Sequence, residues 1–156
     1  MKILMVCLGN ICRSPLAEGI MQHKADAAGL CWTVDSAGTG NWHIGQPPHR
    51  LSQKIALHYG IDISRQRARQ FSATDVARFD LLFFMDRSNY EDARQMAGHH
   101  WDASKAMLLL DVLYPGENRE VPDPYYGTEP DYHQVFHLIS EACDAFIARH
   151  KERASS

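Results

Sequence analysis

No apolar run in the 156-residue chain approaches the ~20 residues of a membrane-spanning helix. Internal repeats, low-complexity tracts and Pro- or Gly-rich linkers are also absent. At this length that leaves room for one core, and a single domain over residues 1–151 with a short polar tail at 152–156 is expected. Cysteine is sparse: the four, at positions 7, 12, 31 and 143, are too few for the disulfide scaffold of a small secreted domain. They do not make a zinc site either. Cys7 and Cys12 have no second pair at ligand spacing, and the adjacent His99 and His100 are badly placed to share a tetrahedron. Neither sign of charge dominates, since 16 Lys+Arg against 19 Asp+Glu give a formal charge of −3. Such a chain has no general field for nucleic acid, and none is expected as a partner. The first residues carry one Lys and a short apolar stretch without a small-residue cleavage site, so they read as a strand rather than a signal peptide. A reduced, cytoplasmic protein is expected.

What is present is an ordinary globular composition, 45% hydrophobic and 22% charged, which excludes a disordered chain. Apolar runs at residues 2–7, 32–37, 81–85 and 107–110 read as strands, and the first is continuous enough to be buried on both faces. Between them lie helical patterns. Ser14 and Pro15 look like N-cap and first turn of a helix stopped by Gly29. Leu51, Ile55 and Tyr59 mark a short helix ended by Gly60, and residues 88–97 another closed by Gly98. Ser72 and Asp75 resemble a capping box, and residues 131–150 form an amphipathic helix. Strand–helix alternation implies an α/β fold: a single-domain, four-stranded parallel sheet with helices on both faces, flavodoxin-like in layout. Ligands of such sheets bind beyond the carboxyl ends of the strands, which points at Cys7 and the residues after it.

Residues 7–15, CLGNICRSP, end a strand, turn and open a helix. Gly9 and Asn10 tolerate positive φ, so the turn can aim successive backbone N–H groups inward as an anion nest. The helix start adds free N–H groups and its positive dipole end. Arg13 adds a planar fork that matches two phosphate oxygens. Donors that bind phosphate also stabilise a thiolate, so Cys7 is a candidate nucleophile toward phosphorus. Taken alone, Cys7 would read equally as a buried strand-end residue.

CLGNICRSP resembles the signature of the low-molecular-weight protein tyrosine phosphatases. DSAGTGNW (35–42), FMDRSN (84–89) and VPDPYYG (121–127) resemble the family's other characteristic segments, in the same order. The resemblance implies cofactor-independent hydrolysis of phosphotyrosine through a phosphocysteine. It assigns Cys7 as nucleophile, Arg13 as the transition-state clamp and Asp123 as general acid. By its own surroundings, Asp123 between Pro122 and Pro124 would read as a turn former. Leu8, Gly9, Asn10, Ile11 and Cys12 are the implied phosphate loop. The resemblance further implies that Asn10 is held by Ser36, that Ser14 helps hold the thiolate and that Asp86 lends structural support. Trp42 and Tyr125, with Tyr126, are implied walls of a slot deep enough for phosphotyrosine and too deep for phosphoserine. Cys12, close to Cys7 in a tight loop, is a candidate redox partner under peroxide.

One departure concerns residues 65–67, Arg-Gln-Arg, where many members carry a His after the Ser of Ile63-Ser64; its role cannot be carried over. The arginines at 65, 67, 69 and 78 read as a solvated helix face, with a basic patch as the alternative. Rival readings are a thioredoxin-coupled arsenate reductase, an arginine phosphatase and a silent phosphopeptide-binding module. The first lacks relay cysteines between 31 and 143, and the second typically carries Thr where Ile11 stands. The third would be expected to lose Cys7 or Asp123. The implied partners are phosphotyrosine proteins, among them a tyrosine kinase, with phosphate or a similar oxyanion in the site.

Overall fold

The computed structural model describes residues 1–155. Its centre is a four-stranded, all-parallel sheet in the order β2-β1-β3-β4. β1 is Lys2–Cys7, β2 Thr33–Gly38, β3 Leu81–Phe84 and β4 Ala106–Leu108. Five helices connect and cover it: α1 Arg13–Ala27, α2 Arg50–His58, α3 Thr74–Arg78, α4 Arg87–Ala97 and α5 Glu129–Ser155.

The continuous apolar run of β1 follows from its two buried faces. Ile3, Met5 and Cys7 join one core, with Leu16 and Ile20 of α1 and Ile139 of α5. Leu4 and Val6 point the other way, into a second core with Val76 of α3 and Ala93 of α4. β3 divides in the same manner, Phe83 to the first core and Leu82 and Phe84 to the second.

The chain runs from β1 to β2 on one side, then crosses to β3 on the other. Strand order therefore reverses at the β1–β3 crevice, where a ligand of a parallel sheet is expected. The loop after β1 crosses the end of β2 so closely that a Cβ on Gly38 would come within 2.6 Å of the Leu8 carbonyl oxygen and 3.0 Å of the Asn10 nitrogen. Those atoms are backbone and cannot swing aside.

Several boundaries differ from the sequence reading. Helix α1 opens at Arg13, with Cys12 at the N-cap position and no side-chain cap. Ser14 lies inside the first turn and its hydroxyl is engaged elsewhere. β4 stops at Leu108, and Leu109–Val112 turn into a short 3-10 helix. That turn buries Leu109, Leu110 and Val112 together, which an edge strand alternating its faces would not do. The Ser72–Asp75 capping box is half formed. Asp75 accepts from the Ser72 N–H at 2.9 Å, whereas the Ser72 hydroxyl bonds Thr74. Helix α5 is longer than predicted at both ends and runs through most of the segment read as a tail.

Gly38→Ala is expected to destabilise the fold by about 1–3 kcal/mol, the usual cost of overpacking. Urea unfolding measures this, and an unchanged midpoint would show that the loop can lift off β2.

Candidate active site

The loop after β1 is pinned to the segment after β2. The Thr39 and Gly40 N–H groups donate to the Cys7 and Leu8 carbonyls at 3.0 and 2.8 Å. Within the loop Asn10 stands at φ 58°, one of two non-glycine residues among those described with positive φ. That conformation turns its N–H toward Cys7 Sγ, 3.3 Å away. The side chain is fully used to hold it there. Nδ2 donates to Ser14 Oγ at 2.8 Å and to Ser36 Oγ at 2.9 Å, and Oδ1 accepts the Arg69 N–H at 3.0 Å.

The polarity of this network follows from the donors. Ser14 Oγ accepts from Asn10, so its own hydrogen is free for Cys7 Sγ at 3.0 Å; the Ala37 carbonyl, at 3.5 Å, is the more distant acceptor. Ser36 Oγ likewise accepts from Asn10 and donates to Glu18 Oε1 at 2.7 Å. Burial pushes the Glu18 carboxyl up to about 7, assisted by nearby Asp35 and opposed by the Ser36 bond and Arg69.

Arg13 is buried, and its charge needs partners. Nη1 donates to Asp86 Oδ2 at 2.7 Å and to the Val121 carbonyl at 3.0 Å. Burial works against the cation, but Cys7, Asp86 and Asp123 together outweigh it and hold its pKa above the ordinary value. The other Asp86 oxygen accepts the Asn89 N–H at 2.8 Å and caps α4. Asp86 therefore ties Arg13 to the end of β3.

Asp123 approaches from the segment before α5. Its Oδ2 is 3.6 Å from Arg13 Nη2, and its Oδ1 accepts the Tyr125 N–H at 3.1 Å. The turn role and a place at the cavity coexist in one side chain. The cavity is about 260 Å³ and is lined at its base by Cys7, Gly9, Ile11, Cys12 and Arg13. Leu8, Trp42, His43, Asp123, Tyr125 and Tyr126 form its sides. Of the implied loop and wall residues, Leu8, Gly9, Ile11, Cys12, Trp42, Tyr125 and Tyr126 line this cavity, whereas Asn10 is buried behind it and does not. Tyr126 is 96% exposed, so it stands at the rim with its ring edge-on to Tyr125.

Cys12 packs below, its Sγ 3.5 Å from the buried Tyr132 hydroxyl. Burial is the main cause that pushes the Cys12 thiol up to about 12, so it stays protonated at neutral pH. No group of three or more His, Cys, Asp or Glu that could hold a metal occurs among the described residues.

Sequence reading missed three contributors. Arg69 is not part of a solvated face. Its guanidinium bridges Asp35 at 3.0 Å and buried Asp75 at 3.1 Å, while its N–H fixes Asn10. His49 caps α2 and stacks on Tyr132, with its ring edge-on to Tyr125. Burial, with Arg50 adding, lowers its pKa. Its position after Pro47-Pro48 was the available signal. His43 lies over Gly9, 3.1 Å from where a Cβ would be. At the departure from the family pattern, Gln66 Nε2 donates to the Pro15 carbonyl at 3.1 Å and anchors that segment to α1.

The family model described as low molecular weight phosphotyrosine protein phosphatase matches residues 2–156. The chain is 42% identical to the low molecular weight protein-tyrosine-phosphatase YfkJ of Bacillus subtilis, over 94% of each chain. The crystal structure of YfkJ superposes with a TM-score of 0.87 at 40% identity, covering 98% of this chain and 96% of that one. The human low molecular weight phosphotyrosine protein phosphatase is 35% identical over 95% of this chain and 94% of its own. A Drosophila arginine phosphatase superposes with a TM-score of 0.88 at 33% identity, covering 97% and 98%.

Glu18 gives a signed pH test. Below about 4.5 the carboxyl is neutral folded or unfolded, and it imposes no pH-dependent cost. Between about 4.5 and 7 the unfolded chain ionises while the fold retains the proton, so this group's contribution to stability falls as pH rises. Glu18→Gln should therefore gain on wild type through that window and run parallel to it above. Urea midpoints at pH 4.5, 6 and 8 measure the difference, and a constant offset would refute the buried-carboxyl assignment.

Proposed function

The chain belongs to the low-molecular-weight phosphotyrosine protein phosphatase family; from that premise we propose that it hydrolyses phosphotyrosine, and small aryl phosphates, through a phosphocysteine formed on Cys7. The observation that carries the reading is one juxtaposition. Cys7 Sγ, with Ser14 Oγ at 3.0 Å, lies at the base of a cavity that the Arg13 guanidinium also lines, with Asp123 3.6 Å from that guanidinium.

Phosphate oxygens sit against the loop N–H groups and the Arg13 fork, which strengthen their hold as charge builds in the transition state. The Cys7 thiolate attacks phosphorus opposite the phenolic oxygen. The P–O bond breaks, and protonated Asp123 gives its proton to the departing oxygen. Asp123, now a carboxylate, takes a proton from water as that water attacks phosphorus. The P–S bond breaks, phosphate leaves and the Cys7 thiolate returns. Cys7, Arg13, Asp123 and water complete every step, so the reading calls for no cofactor. Burial keeps Cys12 protonated, which leaves the attack on phosphorus to Cys7.

Trp42 and Tyr125 suit the flanks of a phenyl ring, while phosphoserine lacks the reach to bring its phosphate to Cys7. Substrates on this reading are proteins with exposed phosphotyrosine, a tyrosine kinase among them. Peroxide would oxidise Cys7 to a sulfenic acid, which condenses with the Cys12 thiol to a disulfide and water. No helix among the described residues is long and apolar enough to cross a membrane, and all four cysteines are free. A cytoplasmic location accords with both.

The test is hydrolysis of a small aryl phosphate at mildly acidic pH without added metal. Cys7→Ser should abolish turnover, and Asp123→Ala should lower it by about 10²–10⁴-fold, the usual contribution of a general acid. Phosphotyrosine peptides should be cleaved and phosphoserine and phosphoarginine peptides spared. Preferential cleavage of phosphoarginine would move the chain to the activity named for its Drosophila neighbour. Binding without turnover would sink the enzyme mechanism.

A further inference from the structure

Trp42 separates the cavity over Cys7 from a second groove. That groove is lined by Leu8, Thr39, Gly40, Trp42, Asp92, Gln95 and Met96, and it shares Leu8 and Trp42 with the first. Three features set it apart from ordinary surface. Its apolar rim is uncovered, with Trp42 64% exposed and Leu8 and Met96 each 38% exposed. The exposed Asp92 makes no ion pair among the described residues, whereas its neighbour Glu91 is taken by Arg94 at 2.8 Å. The Thr39 hydroxyl in the wall is buried, with no hydrogen-bond partner among the described residues.

We propose that this groove is a second substrate subsite, which takes the side chain two residues from the phosphotyrosine and selects lysine or arginine there. The proposal rests on the phosphotyrosine reading above and extends it to the flanking sequence. In an extended peptide, residues i and i±2 project on one face, about 6.5–7 Å apart. One aromatic side chain in van der Waals contact on both sides spans about 7 Å. A peptide whose phosphotyrosine occupies the cavity therefore drops its i±2 side chain on the far side of Trp42.

The lining then sets the chemistry. Leu8, Met96 and the Trp42 ring offer a surface for a (CH₂)n stem, and Asp92 and Gln95 offer acceptors for a cationic head. Lysine and arginine have that shape, an apolar stem with a charged tip. A glutamate in the same place would meet the Asp92 carboxylate.

The test compares kcat/KM for phosphotyrosine peptides carrying Lys, Ala or Glu two residues before, or two residues after, the phosphotyrosine. It uses wild type, Asp92→Asn, Asp92→Lys and Met96→Ala at low ionic strength, with a small aryl phosphate as reference. Wild type should favour Lys over Glu by about fivefold at one of the two positions, the scale of one exposed ion pair. Asp92→Asn should flatten that preference, Asp92→Lys should invert it, and Met96→Ala should weaken binding of the Lys peptide. Aryl phosphate turnover should be unchanged in all three variants. Equal rates across the peptide series, or a Lys preference that survives Asp92→Lys, would overturn the subsite while aryl phosphate turnover still upheld the phosphatase. Failure of folded wild type on aryl phosphate would instead remove both readings.

Discussion

A non-glycine residue held at positive φ carries a strain of order 1–3 kcal/mol, and Asn10 carries it at the centre of the phosphate loop. The side chain offsets that cost with three hydrogen bonds, to α1 through Ser14, to β2 through Ser36 and to the segment before α3 through Arg69. Three separate elements thus meet on one amide. Its N–H can then face Cys7 Sγ, so at this point the loop presents a donor to the sulfur. Glycine could adopt the same backbone but could make none of those bonds.

The second constraint is the buried Arg13 charge, which the fold balances from two directions. Asp86 reaches it from the end of β3, and Asp123 from the loop before α5. One cation therefore joins the strand that forms the crevice to the loop that brings the proposed acid. The arrangement also explains why Asp86 serves α4 with its other oxygen. A carboxylate fixed at both oxygens cannot rotate away from the guanidinium, and Arg13 stays aimed at the cavity.

Much of this was legible in the residues. The β1 run, the parallel sheet and the meeting of Cys7, Arg13, Trp42, Asp123 and Tyr125 at one opening all follow from local pattern or motif. What escaped depends on contacts distant in sequence. Arg69 reads as one more surface arginine until β2 and α3 bring Asp35 and Asp75 to it. Ser14 escaped only in part: its neighbours read as a helix start and make it an N-cap, while only the resemblance gave its hydroxyl to Cys7. Leu109 and Leu110 extend an apolar run, and only the sheet edge at β4 decides that they coil inward. Glu18 gives no local sign that Ser36 will be its partner.

The absence of a side-chain cap on α1 has a consequence for the molecule as a whole. Its first-turn N–H groups have no side-chain acceptor, and on the proposed reading the anion that accepts from them is the phosphate that the reaction releases. Such a helix is completed by its own product. Binding linkage then makes folding depend on the phosphate concentration of the solution, by about 2.7 kcal/mol at one hundred times the dissociation constant. On the same reading that affinity would make product an inhibitor, so the electrostatics that complete the helix would also set a ceiling on how fast the site clears.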